Sequence, residues 1–224
     1  MFDFLDLERY DLFGVFWTTI QLTFFSAVGS LIWGTILAAM RVSPVPIMRA
    51  FGTAYVNLLR NTPLTLIIVF CSLGLWQTLG ITMFTDGSTE PTSFRLAVLG
   101  FVVYTSTFVC EALRSGINTV PVGQAEAARA IGLPFTQVLG LIVLPQAFRA
   151  VIAPLANVLI ALTKNTTVAA AIGVAEASLL MKEMIENEAQ TIPIALVFAL
   201  GFIILTLPMG LFLGWVANRV AVKR

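Results

Sequence analysis

The amino-acid sequence predicts an all-α integral membrane protein with five transmembrane helices. Of its 224 residues, 58% are hydrophobic and only 11% are charged, whereas about a quarter of the residues of a typical soluble domain are charged. A helix that crosses a bilayer needs about 20 mostly apolar residues, and the gaps between charged residues supply five stretches that meet this need. They are 12–40, 61–85, 94–113, 150–175 and 189–218. The length favours a single domain, which we assign to residues 1–224.

The charges of the connecting segments predict how the chain is oriented. Segments on one side of the membrane hold nine cations: Arg41, Arg49, Arg60, Arg114, Arg129, Arg149, Arg219, Lys223 and Arg224. The opposite side holds ten of the twelve acidic residues, among them Asp3, Asp6, Glu8 and Asp11. Because segments rich in Lys and Arg stay in the cytosol, we expect the N-terminus outside and the C-terminus in the cytosol. The acidic start is also unlike a secretory signal, so we expect the first span to be retained as an anchor.

The composition argues against several classes of function. The net charge of +1 provides no overall field that would attract nucleic acid. The chain has no His, so the commonest metal ligand and proton shuttle is missing. Its two cysteines, Cys71 and Cys110, lie in apolar stretches without the spacing of a metal or redox motif, and we expect both to be buried.

The segment 111–149, between the third and fourth spans, is the most informative. It is polar and rich in Ala, Glu and Arg, which favour helix. We predict a short helix over 124–131 that is ended by Gly132 at the C′ position. A second helix should run from about Phe135 through Pro145 toward the membrane, with a kink at the proline. From periodicity alone, an ordinary helical connecting loop is the simplest interpretation.

The spacing within this segment carries a further signal. An EAA triplet is followed after three residues by Gly, and after nine more by I-x-L-P: Glu126, Ala127, Ala128, Gly132, Ile142, Leu144 and Pro145. This pattern resembles the EAA loop of the permease subunits of ABC importers. We place the loop, which would be cytosolic, at 114–149.

The likeness covers about residues 15–216, the ABC transmembrane type-1 core, and its motifs follow the order and spacing of the polar amino-acid branch of the family. They are Arg60-Asn61-Thr62-Pro63-Leu64, Glu111-x-x-Arg114-x-Gly116-Ile117, Leu144-Pro145-Gln146-Ala147 and Lys164-Asn165-Thr166-Thr167. Many members have Gly in place of Asn61 and Asp in place of Asn165. Both departures resemble the glutamate-uptake permeases of actinobacteria. Glutamine, aspartate and other polar amino acids stay open as substrates.

The resemblance implies a type I ABC importer permease fold in the cell membrane of a bacterium. Two permease subunits would lie side by side, as a heterodimer by likeness to glutamate permeases, with a homodimer still open. A dimer of cytosolic ATPases would lie below them, and an extracellular amino-acid-binding protein would deliver the substrate. The likeness also implies that the EAA helix docks into a groove of the ATPase through these residues: Gln124, Glu126, Ala127, Ala128, Arg129 and Gly132.

The chain lacks a G-x-x-x-x-G-K-[ST] phosphate loop, so nucleotide binding must be supplied by another chain. We therefore expect ATP and magnesium on the partner ATPase. We expect no cofactor or metal on this chain, and no catalytic activity of its own.

Polar residues within the spans are candidates for the substrate path. Lys164 is the only charge well inside a predicted span, where insertion costs roughly 2.5–3.5 kcal/mol, and Asn165 and Thr166 extend it into a polar patch. We predict that this patch contacts the substrate carboxylate or stabilises a gate; the alternative is a structural lysine that reaches toward the membrane surface. Glu111 is a candidate contact for the substrate ammonium, or else a local partner of Arg114.

Asn61 and Thr62 are weaker candidates for the path. They open the predicted second span just before Pro63. A proline in the first turn of a helix is structurally normal, so a simple helix start is the leading interpretation there.

Two other classes of function compete with the importer. A self-contained, ion-coupled secondary amino-acid transporter usually has more spans and often an inverted repeat, and we find no repeat. An intramembrane enzyme would need paired Asp, a Ser with a base or a His cluster within the spans, and the sequence has none. Co-purification with an ATPase would support the importer, whereas gradient-driven transport by this chain alone would support the carrier.

Overall fold

A computed structural model describes residues 9–84 and 86–220, and every regular element in this part of the chain is a helix. The first half contains α1 (Leu12–Val42), α2 (Pro46–Arg60), α3 (Leu64–Val69, continued by a π-helical run at Phe70–Thr78), α4 (Thr89–Asn118) and α5 (Val122–Ala130). The second half contains α6 (Phe135–Gln137, continued by a π-helical run at Val138–Val143), α7 (Leu144–Asn165, continued by a 3-10 run at Thr166–Ile172), α8 (Ala177–Glu188) and α9 (Thr191–Val220). The predicted all-α class is confirmed.

Within the described residues, four helical stretches are long and apolar enough to cross a membrane: Leu12–Val42, Thr89–Asn118, Gly140–Ile172 and Thr191–Arg219. They correspond to the first, third, fourth and fifth predicted spans. The third and fourth begin earlier than predicted, because a helix continues past the charged residues at which the prediction stopped. Five residues that contributed to the predicted orientation lie outside the described residues: Asp3, Asp6, Glu8, Lys223 and Arg224.

The second span differs from the prediction. The sequence analysis assigns 41–60 to a loop and 61–85 to a span, and both boundaries are wrong. Pro46–Arg60 is helical, and a bend of 102° joins it to the helical stretch Leu64–Thr78. The two helices qualify as a membrane crossing only together, and the bent pair is either a broken span or a re-entrant loop.

The break has a local cause in the sequence. Pro63 has no backbone N–H and restricts the residue before it to extended geometry, so α2 ends just before it. The helix α2 escaped prediction because Arg49 and Arg60 interrupt its apolar residues, and a search for charge-free stretches does not find such an amphipathic helix.

The helix α2 packs against α1 and α4. A Cβ on Gly52 would come within 2.8 Å of Arg41 Cγ, near the end of α1. Further along, the Tyr55 hydroxyl donates to the carbonyl of Val103 at 3.0 Å. Val103 lies near the midpoint of α4, which runs from Thr89 to Asn118. The Tyr55 hydroxyl therefore reaches the centre of α4, whereas the neighbouring Val56 packs with Leu37, Ala38 and Cys110 toward the C-terminal ends of α1 and α4.

Small residues allow the long helices to approach one another. A Cβ on Gly34 of α1 would lie 2.9 Å from the carbonyl oxygen of Ser106 in α4. A Cβ on Gly116 would lie 3.0 Å from the carbonyl oxygen of Ala147 in α7. Such contacts are typical of helix packing in membranes, where close van der Waals approach replaces the hydrophobic effect.

The helix α8 connects the last two spans and begins at a buried carboxylate. Glu176 Oε1 accepts a hydrogen bond from the backbone N–H of Leu179 at 3.0 Å, which caps the helix. Its Oε2 has no hydrogen-bond partner within the described ranges. Burial raises the pKa of this carboxyl from 4.5 to about 7, although the amides of Ser178 and Leu179 oppose the shift.

Candidate functional site

The segment between α4 and α7 begins with the predicted short helix. The prediction over 124–131 is confirmed by α5, which spans Val122–Ala130. Gly132 has a φ of +92°, a left-handed conformation that glycine adopts without strain. The N–H of Leu133 donates to the carbonyl of Ala128 at 3.1 Å, which closes the helix in the expected way.

Most of the residues predicted to contact an ATPase lie on the surface of this segment. Five of the six are exposed: Gln124, Glu126, Ala127, Arg129 and Gly132. Ala128 is buried, and α5 packs against the π-helical run that precedes α7. The exposed side of α5 therefore has a fixed orientation relative to the fourth span.

Gln146 joins α5 to α7. Its Nε2 donates to Gln124 Oε1 at 2.8 Å and to the carbonyl of Ile142 at 2.9 Å. The predicted second helix is confirmed from Phe135 onward, but its first part is π-helical. Pro145 lies in the first turn of α7, where a missing N–H costs little. Helical structure therefore extends from the connecting segment into the span.

Two arginines hold Glu111 near the end of α4. Arg41 Nη1 donates to Glu111 Oε1 in an ion pair, and Arg114 Nη1 lies 3.6 Å from Glu111 Oε2. The sequence analysis considered the Arg114 pair but missed Arg41, which is 70 positions away in the chain. Glu111 thus ties the end of α1 to the helix that leads into the connecting segment.

Cys110 also lies beside Arg41, with its Sγ 3.8 Å from Nη1. Both Cys71 and Cys110 are free thiols and buried, as predicted from their apolar surroundings.

Lys164 and its neighbours lie in different environments. Lys164 is exposed in the last turn of α7, and its ammonium has no ion-pair partner in the described part of the chain. Asn165 is half-buried. Thr166 is fully buried, and its hydroxyl donates to the carbonyl of Thr163 at 2.7 Å. Of these three residues, Lys164 and Asn165 present polar groups outside the helix.

A cavity of about 370 Å³ lies between α4 and α7. Its polar lining comes from four residues: Tyr104, Thr105, Asn157 and Asn165. Leu162 also lines it and packs in the same core cluster as Phe101. Phe101 lies in the central part of α4, so the cavity lies at the level of the middle of that helix, and it opens to the exposed side of α7 at Asn157 and Ala161.

The sequence analysis found Asn165 but missed Tyr104 and Asn157. A signal for Asn157 was available, because it precedes Lys164 by seven residues and therefore shares its helix face. Nothing in the sequence indicates that Tyr104 faces α7.

Asn61 and Thr62 close the end of α2. Asn61 Nδ2 donates to the carbonyl of Asn57 at 2.7 Å, and the Thr62 hydroxyl donates to the carbonyl of Leu58 at 2.8 Å. These are carbonyls that a helix end leaves without backbone partners. Both side chains therefore stabilise the end of α2 at the bend that leads to α3.

Comparison with known proteins identifies the chain's relatives. A family model described as binding-protein-dependent transport system inner membrane component matches residues 13–222. The glutamate transport system permease protein GluC of Corynebacterium efficiens is 62% identical over 213 residues, 93% of each chain. GluC of Corynebacterium glutamicum is 60% identical over the same share of both chains.

The fold is also that of a solved amino acid ABC transporter. The chain resembles a subunit of an amino acid ABC transporter crystallised with histidines, with a TM-score of 0.85, 24% identity and coverage of 97% of this chain and 98% of that one. The helical architecture described above is thus the type I ABC permease fold. The chain belongs to the family of binding-protein-dependent transport system inner membrane components, the non-catalytic, multi-pass permease subunits of ABC importers.

Proposed function

We propose that this chain is the membrane subunit of an ATP-driven importer that moves glutamate into the cell. Two relatives that are 62% and 60% identical, both glutamate permeases by name, support the substrate. An exposed stripe of small and polar residues on α7 supports a substrate path along this helix. Its members are four or three positions apart and share one helix face: Ala153, Asn157, Ala161 and Lys164.

The exposed surface of α9 has a different character. It is large and apolar, as a surface in contact with lipid should be: Ile192, Leu196, Leu200, Ile203, Leu207 and Leu211. A helix face with Asn157 and Lys164 is unsuited to lipid, because polar and charged side chains are costly in hydrocarbon. The α7 stripe therefore faces a second permease subunit across an aqueous path, and the cavity beside Asn165 opens onto that path.

The second permease is a related chain rather than a second copy, as in the permeases that the sequence resembles. An extracellular amino-acid-binding protein delivers the substrate to the outer end of the pair. The rival, a self-contained ion-coupled carrier, has no support among the relatives.

The orientation follows from the charges once the second span is redrawn. With α2 and α3 counted as one broken crossing, the chain has five spans, its N-terminus outside and its C-terminus in the cytosol. Arg60 leaves the set of cytosolic cations, because it lies at the bend between the two halves of that crossing. The remaining described members of that set share the cytosolic side: Arg41, Arg49, Arg114, Arg129, Arg149 and Arg219.

The motor contact is the exposed side of α5 with the Gly132 turn. A short, small-residue helix fits a groove of the ATPase, in the helix-in-groove manner. ATP and magnesium bind to that ATPase, and this chain holds neither. Movement of α5 reaches α7 through Gln146 and reaches α4 through the short connection 119–121, so closure of the motor would tilt the two helices that line the cavity.

Replacement of Lys164 tests whether this residue contributes to the substrate path. In proteoliposomes that contain the assembled transporter, Lys164→Met should lower glutamate uptake at least tenfold while basal ATP hydrolysis continues. Lys182→Met, on the exposed surface of α8, is the matched control and should transport normally. Wild-type affinity and rate in Lys164→Met would rule out a role for this lysine in the path. Failure of the chain to co-purify with any ATPase would rule out the importer itself.

A further inference from the structure

A second cavity, of about 460 Å³, lies between α1, the first half of α4 and the loop that precedes α4. One charged residue, Arg95, lines it. The walls are otherwise aromatic and aliphatic, with Phe25 from α1, Phe84 from the loop, and Phe94, Val98, Leu99 and Val102 from α4. Tyr104 of the cavity beside Asn165 follows Arg95 by nine positions, which places it on the opposite side of α4. The two cavities are therefore separate.

The second cavity is a groove that is closed at its inner end. A Cβ on Gly29 would lie only 2.5 Å from Cγ2 of Val102, so α1 and α4 leave no space there. Nearer the loop, the rings of Phe25 and Phe94 pack edge to face, with centroids 6.3 Å apart. Phe25 and Phe84 are exposed, so the groove opens on the surface of the bundle.

The length of α4 places Arg95 near the edge of the hydrocarbon. The helix has 30 residues, or about 45 Å, whereas the hydrocarbon core is about 30 Å thick. Each end of a centred α4 therefore projects from the core by about 7 Å. Arg95 follows the first residue of α4 by about 9 Å. Its guanidinium is thus close to the level of the lipid phosphates, and Leu99 and Val102 lie deeper, among the acyl chains.

Arg95 is held by the loop and not by a carboxylate. Its Nη1 donates to the carbonyl of Met83 at 2.8 Å, and no carboxylate pairs with it within residues 9–84 and 86–220. Asp86, an acidic residue of the same loop, accepts instead from the N–H and the hydroxyl of Ser88 at 3.0 and 2.6 Å. Because a guanidinium has five N–H donors, Arg95 keeps donors that can bind an anion.

The loop has an unusual backbone where it meets Arg95. Met83 has a φ of 52° and Phe84 a φ of 65°, in the left-handed region that such side chains seldom adopt. Strain of this kind persists only where the surrounding structure imposes it. In this conformation the carbonyl of Met83 reaches Arg95, and Phe84 lines the groove although it is 97% exposed. The loop thus fixes a cation and an apolar ring at the mouth of the groove.

We propose that this groove binds a phospholipid, with its phosphate on Arg95 and one acyl chain along the apolar walls. A guanidinium binds phosphate oxygens through parallel charge-assisted hydrogen bonds. The ligand is a lipid and not a free phosphate, because the rest of the groove is apolar and extends into the hydrocarbon. In the proposed orientation the lipid belongs to the outer leaflet. This site is independent of the transported substrate.

Lipid titration tests the role of the guanidinium. The assembled transporter is depleted of lipid in detergent and titrated with phosphatidylglycerol, and its lipid-bound states are measured by native mass spectrometry. Arg95→Gln should weaken the tightest binding at least tenfold. Lys182→Gln, which removes an exposed cation from α8, should bind as wild type. Equal affinity of Arg95→Gln and wild type would overturn the proposal.

The two halves of the ligand are tested in the same assay. Glycerol 3-phosphate has the phosphate without the chains, and diacylglycerol has the chains without the phosphate. Each should bind at least tenfold more weakly than phosphatidylglycerol. If either one bound as tightly as the whole lipid, the groove would be a site for a soluble phosphate or for a chain alone, and the proposal would be wrong.

A second variant separates loss of the ligand from a shift of the loop, because Arg95→Gln also removes the bond to Met83. Leu99→Trp narrows the groove and leaves Arg95 in place, so it should weaken phosphatidylglycerol binding at least fivefold. Leu200→Trp, on the exposed apolar face of α9, is the matched control and should have no effect. Equal affinities of the two tryptophan variants would contradict the placement of the chain.

Photolabelling locates the lipid within the membrane. A phosphatidylglycerol with a photoactivatable acyl chain is added to the assembled transporter in phosphatidylcholine nanodiscs. Phe25 and Val102 should be labelled at least fivefold more than Leu200 and Ile203 of α9. Even labelling of both surfaces would indicate ordinary lipid contact and would overturn the proposal. Labelling of the groove only after a partner subunit is removed would assign this surface to that subunit and would overturn it as well.

Discussion

The ion pair between Arg41 and Glu111 should be the strongest polar tie between α1 and α4. The Arg41 side chain is only 9% exposed and that of Glu111 is 32% exposed. Removal of one partner of a fully buried pair costs about 3–5 kcal/mol, but partial exposure of Glu111 reduces this through solvent screening. We therefore expect Glu111→Gln to destabilise the chain by about 2 kcal/mol, because it leaves a nearly buried guanidinium without its counter-charge.

A double-mutant cycle measures this tie directly. The variants Arg41→Gln and Glu111→Gln, alone and combined, are unfolded thermally in the same nanodiscs. The cycle should yield a coupling free energy of about 1–2 kcal/mol, and the cycle of Arg114 with Glu111 should yield below about 0.5 kcal/mol, because that pair is longer and more exposed. Equal coupling in the two cycles, or none in either, would refute the assignment of Arg41 as the principal partner of Glu111.

Three further predictions concern the motor contact, the buried carboxylate and the packing of α4. Glu126→Lys should weaken assembly with the ATPase at least tenfold in co-purification while membrane insertion is unchanged, because it reverses a charge on the exposed side of α5. Glu176→Gln should stabilise the protein at pH 8 by about 3 kcal/mol and have little effect below pH 4.5. The folded pKa of Glu176 is about 7 against an ordinary 4.5, so wild-type stability falls as the pH rises from 4.5 through 7. Gly116→Ala should lower the stability by about 1–3 kcal/mol, because its Cβ would lie 2.0 Å from Val151 Cγ2.

Each of these predictions has a matched control. Glu183, exposed on α8, serves for the two glutamates: Glu183→Lys should leave ATPase assembly intact, and Glu183→Gln should show no pH-dependent gain in stability. Gly123→Ala is the control for Gly116→Ala, since no atom lies within 4 Å of a Cβ at Gly123. The motor contact would be contradicted by normal ATPase assembly in Glu126→Lys. The raised pKa of Glu176 would be contradicted by an effect of Glu176→Gln that does not depend on pH, and the close packing at Gly116 by equal stability of the two glycine variants.

The sequence was sufficient for features that depend on local chemistry. The helix α5 and its end at Gly132 follow from Ala-rich composition and the special backbone freedom of glycine. The long apolar stretches likewise predicted the four described helices that are long and apolar enough to cross a membrane. These features require only a few consecutive residues, so a single sequence contains the information.

Contacts between helices that are far apart in the chain could not be predicted from the sequence. The pairing of Arg41 with Glu111 joins positions 70 apart, and no local pattern indicates which helices are neighbours. The second span was misdrawn because Arg60 looked like a cytosolic cation. The structure shows instead that Arg60 ends a helix, which a bend of 102° joins to the next one. Asn157 was missed for a simpler reason. Its spacing of seven residues from Lys164 places both on one helix face, but the sequence analysis did not use that spacing.

Uptake of radiolabelled glutamate tests the central claim most directly. Proteoliposomes should contain this chain with its partner permease and ATPase, and the binding protein should be added outside. Glutamate should accumulate only when ATP and magnesium are supplied on the ATPase side, and removal of the ATPase should abolish uptake. Accumulation by this chain alone, driven by a sodium or proton gradient without ATP, would contradict the account.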